Sequence, residues 1–208
     1  MICYPIFANS KLITMNNTFK DSLEQHSLLK HPFYLAWNEG TLTREQLALY
    51  AGEYGSFIQL ISKGWQAAGE TAIAQEEVEH YDLWQKFAAS LGTKTIAPNL
   101  SSVKRLVDET EGHYENYASA LGALYAFEAQ QPATAASKLE GLRKHYSTWN
   151  ADEIYFEIHA TDFAEPALLE EKINALNEND KAIAHAACAS TTKALWDALS
   201  DIMDAQKN

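Results

Sequence analysis

The chain has 208 residues, 47% apolar and 21% charged, enough for one domain with a substantial core and short for two. A formal net charge of −12 argues against a nucleic-acid backbone or an anionic membrane surface as partner. Two cysteines, Cys3 and Cys188, stand far apart with no metal-type spacing, and no apolar run approaches the roughly 18–20 residues of a membrane span. A reducing, cytoplasmic setting is the expectation.

The opening MICYPIFANSKLIT is mildly apolar, but its one basic residue, Lys11, follows the apolar stretch, the reverse of a secretory leader. Residues 1–16 are expected to be a disordered extension, with Met15 as an alternative start and 17–208 as a single helical domain. Thr43-Arg44-Glu45-Gln46 has the form of a capping box, followed by Leu47, Tyr50, Tyr54, Phe57, Ile58 and Ile61 at helical spacing. The next helix is expected from Glu70 to Leu91, stopped by Gly92, with Ile73, Glu77, His80, Trp84, Phe87 and Leu91 on its inner line. Thr93–Ser101, with Pro98, is a loop. A long helix follows from Ser102 to Gln131, and Pro132 suits the first turn of its successor, which carries Leu139, Leu142 and Tyr146. The pattern restarts near Asp152, Pro166 kinks it or begins a new helix, and a last helix runs from Asp180 to Met203. Nothing alternates convincingly with period two. The fold class is all-α, a single bundle of about seven helices.

Three of these helices place ionisable groups on apolar faces. Glu77 and His80 lie three apart in line with Trp84 and Phe87; Glu128 continues the line of Leu121, Leu124 and Tyr125; Tyr155, His159 and Asp162 share a face. Burying a lone carboxylate costs several kcal/mol unless it is paired, protonated or bound to a metal. Three helices that each accept that cost point to groups that meet. A Glu-x-x-His pair with carboxylates from other helices is how bundle cores hold two iron or manganese ions, and the donor set offers imidazole and carboxylate without thiolate. Taken singly, each motif has a plainer reading: a core histidine bonded to a carbonyl, or, for Glu76, Glu77 and Glu79, an acidic solvated turn. His26, His31, His113 and His145 read as surface or capping groups. The chain contains no glycine-rich phosphate loop, Gly-x-Ser-x-Gly elbow or Cys-x-x-Cys.

The stretch His80-Tyr-Asp-Leu-Trp-Gln-Lys-Phe-Ala-Ala-Ser-Leu-Gly92, then Tyr125-Ala-Phe-Glu-Ala-Gln-Gln-Pro132, resembles the TenA/PqqC/CADD branch of the heme-oxygenase-like superfamily. With Ser137-Lys-Leu-Glu-Gly-Leu-Arg-Lys-His-Tyr146 and Tyr155-Phe-Glu-Ile-His159, the likeness is closest to CADD-like proteins and covers the chain from about residue 20 onward. The resemblance implies a seven-helix fold, often homodimeric, with a pocket for a small-molecule substrate inside the bundle. In CADD-like members that pocket holds a dinuclear metal site and carries out oxygen-dependent chemistry, including formation of para-aminobenzoate. PqqC-like members oxidise a cofactor precursor without metal, and TenA-like members hydrolyse thiamin breakdown products. His80, Glu128 and His159 match family ligand positions. The first-helix glutamate position falls on Ile73; a short deletion would bring Glu77 or Glu76 into that role, and helical phase favours Glu77. The positions four and seven after the second histidine hold Phe163 and Pro166, with Asp162 and Glu165 each one residue early. The TenA nucleophile position is Leu121 and its acid Thr192, which removes thiamin-type hydrolysis.

The resulting expectation is an iron- or manganese-dependent oxidase or oxygenase held by Glu77, His80, Glu128, His159 and Asp162. Tyr54, Tyr125 and Tyr155 line the cavity as redox or proton-transfer groups, and Glu53 contacts substrate. The alternatives are metal-free PqqC-like oxidation, with His80 and His159 as acid and base, and a non-catalytic ligand- or protein-binding member.

Overall fold

A computed structural model describes residues 19–205; the N-terminal stretch 1–16, expected to be an extension, lies outside the described residues. Residues 19–25 form α1. They are followed by α2 (Pro32–Glu39), α3 (Arg44–Ile58), α4 (Ile61–Ala67), α5 (Thr71–Ser90), α6 (Ser101–His113) and α7 (Tyr117–Glu128). The chain ends with α8 (Gln131–His145), α9 (Ile154–His159), α10 (Ala164–Ala175) and α11 (Glu178–Asp204). There is no β-strand among the described residues. None of the described helices is long and apolar enough to cross a membrane.

The helix boundaries follow local chemistry. Thr43 Oγ1 accepts from the Gln46 amide at 3.2 Å while Gln46 Oε1 accepts from the Thr43 amide at 2.8 Å, closing the capping box that starts α3. Gly92, at φ 86°, takes the left-handed conformation beyond α5 that other residues resist. Pro132 sits in the first turn of α8, and Pro166 sits in the first turn of α10, so it begins a helix rather than kinking one. His31 does cap α2, accepting from the Phe33 amide through Nδ1 at 3.0 Å, but it is buried rather than on the surface.

Two helices expected to run unbroken are interrupted. The segment after Thr43 breaks at Gln59–Leu60 into α3 and α4, and the long segment after Ser102 breaks at Tyr114–Asn116 into α6 and α7. Asn116 explains the second break, because its side chain accepts from the Ser119 amide and restarts the helix in a new direction.

The reorientation places α7 at the centre. Ten of its twelve residues are buried, from Ala118 to Glu128, and it packs along α11 and against α4 and α10. A helix apolar on all sides has to be enclosed on all sides. Small residues make the enclosure close: a Cβ built on Gly122 would collide with the Ala184 carbonyl oxygen of α11. Gly122→Ala should therefore cost about 2–4 kcal/mol of stability, since backbone cannot retreat as a side chain can. Gly112→Ala in α6, where nothing lies within 4 Å, should be neutral or stabilising by up to about 1 kcal/mol. Paired chemical-denaturation curves check both.

Candidate metal centre

The α5 stripe turns Glu77 and Trp84 fully inward and leaves His80 at the edge, while Glu76 and Glu79 face solvent. The acidic run is thus one inward carboxylate between two outward ones. From α9, His159 reaches the same point. His80 Nδ1 stands 2.9 Å from Glu77 Oε1, and His159 Nε2 stands 4.0 Å from that same oxygen. The two imidazoles cross edge to face with centroids 4.7 Å apart. Ligand atoms of Glu77, His80 and His159 all lie within 4.8 Å of one another.

His159 is oriented by the backbone. Its Nδ1 stands 2.7 Å from the Tyr155 carbonyl oxygen. A carbonyl only accepts, so this nitrogen carries the proton and Nε2 is left as a lone pair facing Glu77. That backbone bond behind a metal-facing imidazole is the usual outer-shell device of histidine metal sites. Burial pushes the His159 pKa down, which also favours the neutral, ligating form. His80 is shifted up, first by its hydrogen bond to Glu77.

Two further buried carboxylates crowd this point. Glu128, at the end of α7, has one hydrogen-bond partner, Trp65 Nε1, which donates at 3.3 Å. Burial, then the charges of Glu165 and Glu77, hold its pKa well above the usual carboxylate range. Glu165, at the start of α10, is pushed up to about 8 by burial and then by Glu77 and Asp162. Glu77, Glu128 and Glu165 thus repel one another inside the bundle, with no lysine or arginine contacting any of them among the described ion pairs.

The remaining expected residues divide. Tyr54 and Tyr155 border the carboxylates: both are buried, and Glu128 raises the pKa of each further beyond what burial does. The Tyr54 hydroxyl has no hydrogen-bond partner, while that of Tyr155 accepts from Gln131 Nε2 at 2.8 Å. Asp162 is half-buried and spends Oδ1 on the Ala164 amide at 3.0 Å, capping the approach to α10. The structure does not bring Tyr125 to the cluster; its ring meets Phe19 at 5.8 Å, and Glu170 and the Cys188 thiol are its neighbours. Glu53 is also elsewhere, its carboxylate accepting from the Asn99 and Leu100 amides and so anchoring the loop before α6.

Sequence reasoning misses two buried groups. Glu165 falls one residue out of register in the sequence, yet the turn at 160–163 carries it inward. Lys138 of α8 lies on the buried line Thr134, Lys138, Leu142, a signal present in the four-residue spacing. Its Nζ donates to the Tyr50 hydroxyl at 3.0 Å and sits 5.2–5.5 Å from the ring centres of Tyr34, Tyr50 and Phe156.

No family model matches the chain. It is 34% identical to a 4-aminobenzoate synthase of Nitrosomonas europaea, over 70% of this chain and 73% of that protein. The chain belongs to that synthase's family. A TenA homologue of Pseudomonas syringae superposes with a TM-score of 0.75 at 14% identity, covering 91% of this chain and 93% of the other. A heme-oxygenase-like domain from Shewanella denitrificans does so with a TM-score of 0.73 at 16% identity, covering 98% and 95%. These two establish the heme-oxygenase-like fold for this family member and nothing of its chemistry.

The Lys138 amine carries a consequence that can be measured. With no carboxylate beside it, burial lowers its pKa from 10.5 to about 7. Between those values the unfolded chain holds a proton that the folded chain does not, so stability rises with pH through the window and the penalty is largest below about 7. Lys138→Met should accordingly stabilise the protein at neutral pH by a few kcal/mol, since each tenfold loss of proton affinity corresponds to about 1.4 kcal/mol. The advantage over wild type should shrink toward zero as pH approaches 10.5, followed by urea denaturation of both proteins across pH 7–10.

Proposed function

We propose that this protein is a metal-dependent oxygenase that forms 4-aminobenzoate or a closely related small aromatic, with iron or manganese held by Glu77, His80, Glu128, His159 and Glu165. The observation that supports it most directly is the Glu77 carboxylate flanked by two imidazoles, at 2.9 and 4.0 Å. Membership of a family that includes a 4-aminobenzoate synthase supplies the product class.

The donor set fits a metal on its own chemistry. Buried carboxylates that repel one another and have no lysine or arginine partner are a poor way to stabilise a core, and a divalent cation relieves that repulsion. Nitrogen and oxygen donors from separate helices suit iron and manganese, with the Glu-x-x-His pair of α5 in the arrangement of carboxylate-rich bundle sites. Asp162, spent partly on capping α10, is the weaker candidate, and Glu165 takes its place in this proposal. Such a metal, when bound, supplies the one-electron chemistry that lets dioxygen react with an organic substrate.

The chain's own residues prepare the surroundings. The Tyr155 carbonyl fixes which nitrogen of His159 faces the centre. Trp65 orients Glu128 through a bond donated to Oε1. Tyr54 brings a buried, unpartnered hydroxyl, the kind of group that can hydrogen-bond a substrate.

Metal analysis after anaerobic loading with iron and manganese tests the reading. Wild type should retain metal in stoichiometric amount, and His80→Ala and Glu128→Ala should lose most of it together with 4-aminobenzoate production. Wild type that holds no metal after loading removes the proposal. Metal affinity should also rise with pH up to about 8, because Glu165 is protonated below that point and must release its proton to bind. Calorimetric titrations in buffers of differing ionisation enthalpy would register the released protons.

A further inference from the structure

From His159, an unbroken file of aromatic rings leads through the bundle to its surface. The Tyr155 ring centre lies 4.2 Å from that of His159, and Trp84 lies 5.0 Å from Tyr155. Tyr50 follows at 5.5 Å, Trp37 at 5.7 Å and Tyr146 at 6.2 Å. Trp149 closes the file, stacked on Tyr146 at 4.6 Å with ring planes 28° apart. Every separation is one of direct ring contact. The five inner rings are buried and Trp149 is only half-buried, in the short link between α8 and α9.

The chemistry of the file is selective. Its members are tyrosine and tryptophan, the two side chains of this size that give up an electron readily. The rings packed around it include Phe33 against Tyr50, Phe87 against Trp84 and Phe156 against both Trp84 and Trp37. Phenylalanine is far harder to oxidise, so these neighbours fill space; an oxidisable ring, Tyr54, lies beside the file at its inner end, stacked on Tyr50 at 5.1 Å and 6.0 Å from Trp84. The hydrogen bonds sort the members further. Trp84 and Trp37 donate their indole N–H to the carbonyls of Ala51 and Lys138, at 2.9 and 3.1 Å. A carbonyl is too weak a base to keep the proton of an oxidised indole, so the charge moves on rather than being trapped. Tyr50 differs, because its hydroxyl contacts the Lys138 amine at 3.0 Å.

We propose that the outer branch Tyr50–Trp37–Tyr146–Trp149 is an electron-transfer route between the bundle interior and the surface, with Trp149 as the port for a soluble one-electron reductant. No bond between heavy atoms forms or breaks along it. An oxidant at the inner end, dioxygen undergoing reduction there, takes an electron from Tyr50 by way of Trp84 and Tyr155. With the Lys138 amine neutral, the direction of that 3.0 Å contact reverses, and the Tyr50 proton passes to Lys138 Nζ as the electron leaves. Trp37 then returns an electron to Tyr50 and the proton comes back from Lys138. Trp149, bridged to Trp37 by Tyr146, is refilled by the reductant. The balance is one electron from reductant to oxidant and no net proton along the file. Tyr155 and Tyr146, whose hydroxyls meet an amide nitrogen and a carbonyl rather than a base, serve as contact bridges.

The inner terminus rests on the proposed metal reading; the outer branch does not, and metal-free protein tests it separately. A soluble ruthenium photo-oxidant, too large to enter the core, is flashed with the full-length protein in a Tyr117→Phe background that removes an exposed tyrosine off the file. Wild-type file residues should yield a buried tyrosyl radical by electron paramagnetic resonance, lost in Tyr50→Phe. Trp149→Phe should lose the same signal, and Trp149→Tyr, which restores an oxidisable ring, should recover it. Thermal melts confirm that each variant is folded, and Trp37→Phe serves as the second blocking variant. A tyrosyl signal that persists unchanged in Trp149→Phe and Trp37→Phe overturns the route, as does one that Tyr50→Phe leaves intact.

Discussion

Repulsion among Glu77, Glu128 and Glu165 is the constraint around which the rest of the molecule is arranged. Three buried carboxylates from three helices converge, and no lysine or arginine meets them among the described ion pairs. Burial and the neighbouring charges push Glu165 up to about 8 and Glu128 well above the ordinary range. Such an arrangement costs stability and is held in place by packing elsewhere. The dense contact of α7 with α11, made possible at Gly122, supplies that packing and fixes Glu128 at the end of a helix that cannot shift.

A second buried charge problem lies on the far side of Tyr155 and Trp84. Lys138 is enclosed by rings rather than by carboxylates, so at neutral pH it hovers between an ammonium that the rings attract and an amine that burial favours. The chain therefore keeps its buried acids and its buried base apart, with an aromatic layer between them. Pairing them would have stabilised the fold and neutralised both. Keeping them separate leaves each available for chemistry, and separation of this kind is what functional sites tend to show at the expense of stability.

Much of this is legible in the sequence, for physical reasons that differ by residue. Glu77, His80, Glu128 and His159 each interrupt an apolar helical stripe, and a stripe constrains which face is buried even when tertiary contacts are unknown. The same logic puts Trp84 and Phe87 in the core. It fails where the chain leaves helical periodicity. The register across the 160–163 turn decides whether Glu165 points inward, and no repeat runs through that turn. Asp162 continues the face of Tyr155 and His159 in the sequence, but α9 ends at His159 and the carboxylate is drawn off by the amide of Ala164 that starts α10. Tyr125 shows the limit of stripes from another side: α7 is buried nearly all round, so lying on an apolar face says nothing about which neighbour it meets.

Lys138 shows a different kind of blindness. Its spacing from Thr134 and Leu142 marks it as inward, but a lysine on a helix is ordinarily assumed to extend to solvent along its own stem. Here the stem has nowhere to go, because Trp37 lies against α8 at Gly141 and donates its indole N–H to the Lys138 carbonyl. The ring that closes off the lysine is therefore also the ring that carries the aromatic file past it. Trp37 couples the two features: a smaller residue there would open a path to water for Lys138 and break the contact between Tyr50 and Tyr146. The buried amine and the route to Trp149 thus depend on one side chain, so the pH dependence of stability and the photochemical yield should fail together when Trp37 is reduced in size.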